Sequence, residues 1–202
     1  MKLKHMDKLI NHFDYYFEQE EPKVYHNDNM YPHIDILRYK PTLKYPFYKL
    51  VTMGASDCRM SRKNTIGRYN EYMVFVDKEA TDDELRWYVD LLDMIALFPF
   101  ESGESLSYGH SLELPSDFDD CMKGAVITMP MIIRNTGILK CKLGFREVIC
   151  LQIIPLTKEE LDYKLKNGFQ AIEEVFYPSD KEEKDYHYLA ERVRSFKVEL
   201  WN

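Results

Sequence analysis

The chain has 202 residues, 45% of them hydrophobic and 30% charged, with a formal net charge of −7 at pH 7. A chain of this size buries roughly 70% of its unfolded surface, so it needs neither disulfides nor a metal to fold. The acidic balance argues against binding to nucleic acid or to an anionic membrane surface. No signal peptide opens the chain and no apolar run of about 20 residues could span a bilayer. We therefore expect a soluble, cytoplasmic protein.

The first predicted element is an amphipathic helix. Apolar residues recur at steps of three and four between Leu3 and Phe17, so they share one face, and Pro22 lies just beyond the end. A β-rich stretch follows, with strands predicted over 33–39, 47–53 and 71–76 because these runs are rich in β-branched and aromatic residues. The polar residues from 58 to 70 are predicted to form a connecting loop.

Two capping boxes mark the starts of helices in the second half of the chain. Thr81 with Glu84 predicts a helix that Pro99 ends. Thr157 with Glu160 predicts another helix, whose apolar residues continue as far as 176.

Short strands are predicted over 105–114, 125–129 and 145–156. The last of these is almost continuously apolar, which indicates a strand covered on both faces. The segment 186–200 is predicted to be helical, with a strand over 198–201 as the alternative.

The order of these elements is a helix, several strands, a helix, several strands and further helices. This order favours a mixed, mostly antiparallel β-sheet with helices packed on it over a strict βαβ alternation. No repeat, low-complexity tract or linker divides the chain. We therefore predict an α+β fold in a single domain over residues 1–202.

The four cysteines show no metal-binding pattern. They include no CxxC pair, and no nearby histidine completes a zinc motif; they are Cys58, Cys121, Cys141 and Cys150. Free thiols in a reducing compartment are the simplest account. We predict no metal and no other cofactor.

The standard catalytic motifs are missing from the sequence. GxGxxG, GxxxxGK[ST] and HExxH do not occur, and Gly54-Ala55-Ser56 continues with Asp57 and not as a GxSxG nucleophile turn. We therefore assign no catalytic residue and expect that the protein is not an enzyme.

Six polar residues near the ends of predicted strands form a candidate polar cluster: His33, Asp35, Ser56, Asp57, Glu71 and His110. His33 and Asp35 are two residues apart, so on a strand they project from the same face. If the fold gathers these residues, their imidazoles and carboxylates offer a metal site or general acid–base groups. Capping turns through hydrogen bonds to the backbone is the structural alternative. Recognition of a protein partner is a third reading.

Several short segments, taken in order, resemble motifs of the suppressor-of-fused family. The segments are HIDI at 33–36, TMGASDCRM at 52–60, EYMV at 71–74, LFP at 97–99, GH at 109–110 and LQIIPL at 151–156, with Glu160 and Gly168 in the helix that follows. The resemblance covers roughly residues 30 to 176. Arg59 departs from the pattern, because a proline before Met60 is common in the family.

The resemblance implies a protein-binding function. Animal members of the family carry a second, C-terminal domain and sequester a transcription factor by clamping an extended segment of it. We expect that this chain is too short to supply such a clamp. Single-domain bacterial members resemble immunity proteins, which neutralise a cognate toxin that is often a nuclease, and the resemblance implies no catalytic activity.

We therefore predict a non-catalytic protein-binding module, an immunity or antitoxin protein whose partner is a toxin. An acidic surface would suit a basic nuclease. Tyr31, Tyr45 and Tyr48 are the predicted anchor side chains, because tyrosine combines apolar area with a hydroxyl. One alternative is a regulatory adaptor that binds a signalling or transcription partner. Another is a metal-dependent hydrolase that uses His33, Asp35, Asp57 and His110.

Overall fold

The computed structural model describes residues 3–26, 32–61, 66–178 and 183–191. The chain forms one domain in which helices cover both faces of an eight-stranded mixed sheet. The predicted α+β class is confirmed. In the described part of the sheet, one pair of neighbouring strands is parallel and all the other pairs are antiparallel.

The strands follow the hydrophobic runs of the sequence. They are β1 (Lys23–Tyr25), β2 (Asp35–Tyr39), β3 (Phe47–Met53), β4 (Asn70–Asp77), β5 (Ser111–Glu113), β6 (Met122–Thr128), β7 (Lys140–Leu143) and β8 (Arg146–Thr157). Their order across the sheet is β1-β2-β3-β4-β8-β6-β5, and β7 also pairs with β8.

Strand β8 holds the two halves of the sheet together. It runs parallel to β4 on one side, and antiparallel to β7 and then β6 on the other. All nine residues from Val148 to Leu156 are buried. The prediction of a strand covered on both faces is confirmed, and its long apolar run follows from this central position.

The helices are α1 (Leu3–Phe17), α2 (Asp82–Ser102), α3 (Lys158–Asn167) and α4 (Phe169–Phe176). Three short 3₁₀ helices are Ala55–Asp57, Thr136–Leu139 and Glu183–Glu191. Buried residues of α1, α3 and α4 belong to the apolar core on one face of the sheet, and those of α2 belong to the core on the other face. The result is a three-layer arrangement of helices, sheet and helix.

Two helix boundaries differ from the prediction. Pro99 does not end α2, because it is buried and its loss of one backbone hydrogen bond is outweighed by the apolar contacts around it. The helix ends at Gly103, whose φ of 71° is left-handed. The helix predicted from Thr157 to residue 176 is two helices, because Gly168, with φ 89°, separates α3 from α4.

Other differences concern short elements. The strand predicted over 105–114 is reduced to β5, and neither β1 nor β7 was predicted. Residues 183–191 are a 3₁₀ helix, while the possible strand over 198–201 lies outside the described residues. All four cysteines are free, and Cys141 and Cys150 are buried. Within the described ranges, no helix combines the length and apolar character needed to cross a membrane.

Replacing Thr81 by alanine is expected to lower the free energy of unfolding by about 1 kcal/mol. Thr81 Oγ1 accepts a hydrogen bond from the Glu84 amide at 3.2 Å, and the Thr81 amide donates to Glu84 Oε2 at 2.6 Å. Chemical denaturation of the purified variant measures the loss. Thr81→Ser keeps the hydroxyl and should restore most of it; equal losses in both variants would contradict the capping role.

Candidate functional site

Five of the six residues of the candidate polar cluster lie at one end of the sheet. β2 begins there at Asp35, β3 ends there at Met53, and β4 begins there at Asn70, because the three strands are antiparallel neighbours. The turn that leaves β3 carries Ser56 and Asp57 in a 3₁₀ helix. The topology therefore brings together residues that are up to 38 positions apart in the chain, from His33 to Glu71.

Glu71 is the central acceptor of this turn. Its carboxylate is fully buried and accepts hydrogen bonds from Thr52 Oγ1 at 2.7 Å and from the Gly54 and Ser56 amides at 3.1 Å each. Burial raises the pKa of Glu71, while the hydrogen bonds from Ser56, Thr52 and Gly54 act in the opposite direction. Glu71 thus fixes the path of the chain as it leaves β3.

Gly54 is required by the same turn. Its φ is 129°, and a Cβ atom added to it would lie 2.6 Å from the carbonyl oxygen of His33. No side chain fits this close approach of two backbones, which explains the glycine after β3. The motif from 52 to 57 is therefore a backbone structure that Glu71 and Gly54 define together.

Asp35 forms a second, separate group with two histidines. Its Oδ1 atom lies 3.0 Å from His33 Nε2 and 2.9 Å from His26 Nδ1. The Asp35 side chain is only 2% exposed, whereas those of His26 and His33 are 56% and 47% exposed. The sequence placed His33 beside Asp35, but His26 was missed because the three-residue strand β1, which it follows, was not predicted.

Asp57 and His110 interact with residues outside the candidate polar cluster. Asp57 Oδ1 is 3.3 Å from Arg146 Nη1 in a partly exposed ion pair. His110 Nδ1 lies 3.0 Å from the Ser105 carbonyl oxygen and 3.3 Å from the Ser107 amide, so it stabilises the loop before β5. Among the described histidines, cysteines and acidic residues, only His26, His33 and Asp35 come close enough together to share a metal ion. The six predicted residues therefore do not form one cluster.

The three predicted anchor tyrosines differ in exposure. Tyr31 lies outside the described residues. Tyr45 is only 2% exposed and its ring packs against Phe47, so the prediction that it contacts a partner does not fit its position. Tyr48 is half-buried, with the Arg38 guanidinium 5.7 Å from its ring centroid.

An open acidic groove lies at the end of α1, which sequence reasoning did not identify. The groove has a volume of about 990 Å³ and is lined by Ile10, Asn11, Asp14, Tyr15, Glu18, Gln19, Glu20, Glu21 and Pro22. Glu18 and Glu21 both have left-handed backbones, with φ of 52° and 57°. These conformations turn the chain after α1 and place several carboxylates around one concave surface. Lys44, which forms an ion pair with Glu18, offsets one of these charges.

Tyr15 stands at this acidic groove as an exposed aromatic side chain. It is 69% exposed, and its ring meets the ring of Tyr16 edge to face, with the centroids 5.0 Å apart. Tyr16 in turn contacts the His12 ring at 4.7 Å. These contacts restrain the tyrosine in a position that faces solvent.

The fold and these contacts define a single-domain α+β protein whose buried polar residues are largely occupied in holding its own backbone. A family model described as suppressor of fused protein (SUFU) matches residues 30–186. The chain therefore belongs to the suppressor-of-fused family. No curated protein sequence matches it significantly.

Solved structures of this family share the fold. A suppressor-of-fused homologue from Neisseria gonorrhoeae FA 1090 superposes with a TM-score of 0.67 and 11% identity, over 92% of this chain and 95% of that one. A chain of the Sufu–Fu complex superposes with a TM-score of 0.64 and 14% identity, over 87% and 84%. Drosophila Suppressor of Fused gives 0.63 and 14%, over 87% of this chain and 47% of that one. At these identities the likeness shows the fold alone.

Proposed function

We propose that this protein is a non-catalytic protein-binding module, an immunity protein that neutralises a cognate bacterial toxin. The observation that carries the proposal is the acidic groove at the end of α1 with the exposed Tyr15 beside it. A large aromatic anchor surrounded by polar groups is the usual composition of a binding hot spot in a protein interface.

The charge of the groove selects the kind of partner. Glu18, Glu20 and Glu21 are exposed, and Asp14 lies half-buried below them. Burial raises the pKa of Asp14, and the nearby Glu20 charge acts in the same direction. A lysine or arginine from a partner would relieve this crowding of carboxylates. A basic nuclease, whose phosphate-binding site must be positively charged, has the complementary surface.

The roles of the family-motif residues support binding over catalysis. Glu71 and Ser56 are buried, and the Ser56 amide donates a hydrogen bond to the Glu71 carboxylate. His110 is hydrogen-bonded within its own loop. Residues so engaged stabilise the scaffold and leave the exposed groove to carry the specificity.

A regulatory adaptor is the second candidate function. It is favoured by the likeness to a chain of the Sufu–Fu complex, in which a protein with this fold has a protein partner. Both functions use a protein-binding surface, but only an immunity protein protects a cell from a toxin.

Protection of growth is the direct test. The protein encoded by the adjacent gene, where the proposal places the toxin, is expressed in a bacterial host with and without this protein. We expect cells that express the toxin to grow only when this protein is also present, and we expect the two proteins to form a 1:1 complex that survives a high-salt wash. Cells that die at the same rate with this protein folded and abundant would contradict the immunity function.

Substitutions in the groove test the surface. Tyr15→Ala is expected to weaken the purified complex on the order of 30-fold, about 2 kcal/mol. Glu20→Lys with Glu21→Lys should slow association, and the association rate of the unmodified protein should fall as salt rises. Glu101→Lys with Glu104→Lys is the charge-matched control, since both residues are exposed at the far end of α2. A salt-independent rate, or equal effects of the two double variants, would contradict binding at the groove.

A further inference from the structure

The geometry points to a binding site for a divalent transition-metal ion, with Zn²⁺ as the best fit, formed by His26, His33 and Asp35. The site lies where the edge strand β1 ends and β2 begins. It is separate from the acidic groove and independent of the proposed toxin partner.

The sheet itself brings the three residues together. Lys23, Val24 and Tyr25 pair with Arg38, Leu37 and Ile36. Continuing this antiparallel register by one residue sets His26 opposite Asp35. His33 precedes Asp35 by two positions, so the extended chain projects both side chains from one face. Three residues from two chain segments therefore converge by backbone geometry.

The spacing of the ligand atoms suits a metal ion. One oxygen of Asp35 lies 2.9 Å from His26 Nδ1 and 3.0 Å from His33 Nε2, and all three ligand atoms lie within 4.8 Å of one another. In a tetrahedral zinc site with bonds of about 2.0–2.1 Å, neighbouring ligand atoms are about 3.3 Å apart. Each histidine nitrogen needs to move a few tenths of an ångström away from the carboxylate oxygen, and the two nitrogens, which lie within 4.8 Å of each other, need to reach the same spacing. Both rings are exposed enough to rotate.

Burial of Asp35 gives the site its driving force. Its side chain is 2% exposed, and a carboxylate removed from water needs a compensating positive charge. Among the described residues, the side chains within hydrogen-bonding distance of the Asp35 carboxylate are those of His26 and His33. A divalent cation held by both imidazoles and the carboxylate would supply the compensating charge.

The donor set selects the class of metal. Two imidazoles and one carboxylate favour Zn²⁺, Co²⁺, Ni²⁺ or Cu²⁺ over Mg²⁺ and Ca²⁺, which prefer oxygen ligands throughout. Three protein ligands leave a coordination position for water. The bound ion would tie β1, which in the described part of the sheet pairs with β2 through three residues, to the start of β2.

Calorimetric titration of the metal-stripped full chain with ZnCl₂ tests the site. We expect one ion per chain and a rise in the thermal unfolding temperature, because an ion that binds only the folded state stabilises it. His26→Gln and His33→Gln should each weaken binding at least tenfold and abolish most of the thermal shift. Both side chains are about half exposed, so these variants should fold normally, which circular dichroism checks.

Controls separate this site from other zinc ligands. All titrations are repeated with Cys121→Ser, since Cys121 is an exposed free thiol and thiolates are common zinc ligands. His5→Gln removes an imidazole on α1, away from the site, and should leave binding unchanged. The proposal is overturned if Zn²⁺ gives no binding heat and no thermal shift. It is equally overturned if the folded His26→Gln and His33→Gln variants bind the ion as the unmodified protein does.

Discussion

Replacing Glu71 by alanine is expected to lower the free energy of unfolding by about 3 kcal/mol or more. The variant leaves the Thr52 hydroxyl and the Gly54 and Ser56 amides without their acceptor, in a region where the surrounding residues are buried. Each buried donor that loses its partner costs about 1–3 kcal/mol, and relief of the desolvated carboxylate offsets only part of the sum. Urea denaturation followed by circular dichroism measures the loss.

Two further variants make this test specific. Glu113→Ala removes an exposed carboxylate from β5 and should change stability by less than about 0.5 kcal/mol. Glu71→Gln keeps the shape and one acceptor oxygen, so its loss should lie between those of the other two. A Glu71→Ala variant that is as stable as Glu113→Ala would show that the turn after β3 does not depend on this carboxylate.

The sequence predicts those parts of the fold that are set by local chemistry. The two capping boxes locate the starts of α2 and α3, and the predicted strand 47–53 coincides with β3. Hydrophobic periodicity and side-chain caps act over a few residues, so they are legible in one sequence. The prediction that Pro99 ends α2 was wrong because it rested on a local rule, that proline breaks helices, whereas Pro99 is buried inside the helix by tertiary packing.

The site depends on contacts that no local pattern reports. His26 reaches Asp35 because a three-residue strand pairs at the edge of the sheet, and such a short strand leaves almost no periodic signal. The acidic groove depends on left-handed backbones at Glu18 and Glu21, which non-glycine residues seldom adopt. The sequence places Glu71 in the candidate polar cluster, but no local pattern shows that its carboxylate is the acceptor for a whole turn. Composition indicates an acidic protein but not where its acidic residues converge.

Lys49 is a buried cation within the sheet, and its replacement is expected to stabilise the protein. The residue is fully buried on β3, with its ammonium group near the ring of Phe17 and hydrogen-bonded to the carbonyl oxygen of Lys40. Burial lowers the pKa of Lys49 from 10.5 to about 8. Because a lowered pKa means that the fold disfavours the charged form, Lys49 costs stability wherever it is protonated.

The pH dependence of this cost has a definite sign. Between pH 8 and 10.5 the unfolded chain binds a proton at Lys49 that the folded chain has released. The free energy of unfolding therefore rises with pH across this interval. A pKa difference of this size corresponds to about 3 kcal/mol, a deficit that is fully present below pH 8 and removed above pH 10.5.

Lys49→Met should therefore raise the free energy of unfolding at pH 7 by about 2–3 kcal/mol, since methionine fills the space of the lysine stem without a charge. The Lys40 carbonyl that loses its donor belongs to an exposed residue and can bind water instead. Denaturation at pH 7, 8, 9 and 10 should show the advantage of the variant shrinking as pH rises, because the lysine itself becomes neutral. Lys142→Met, at an exposed position on β7, is the matched control and should show no such trend. Two results would contradict this prediction: a Lys49→Met variant that is less stable than the unmodified protein, or one whose gain in stability is the same at every pH. Either would mean that the lysine is stably charged within the fold, held by the Lys40 carbonyl and the aromatic face beside it.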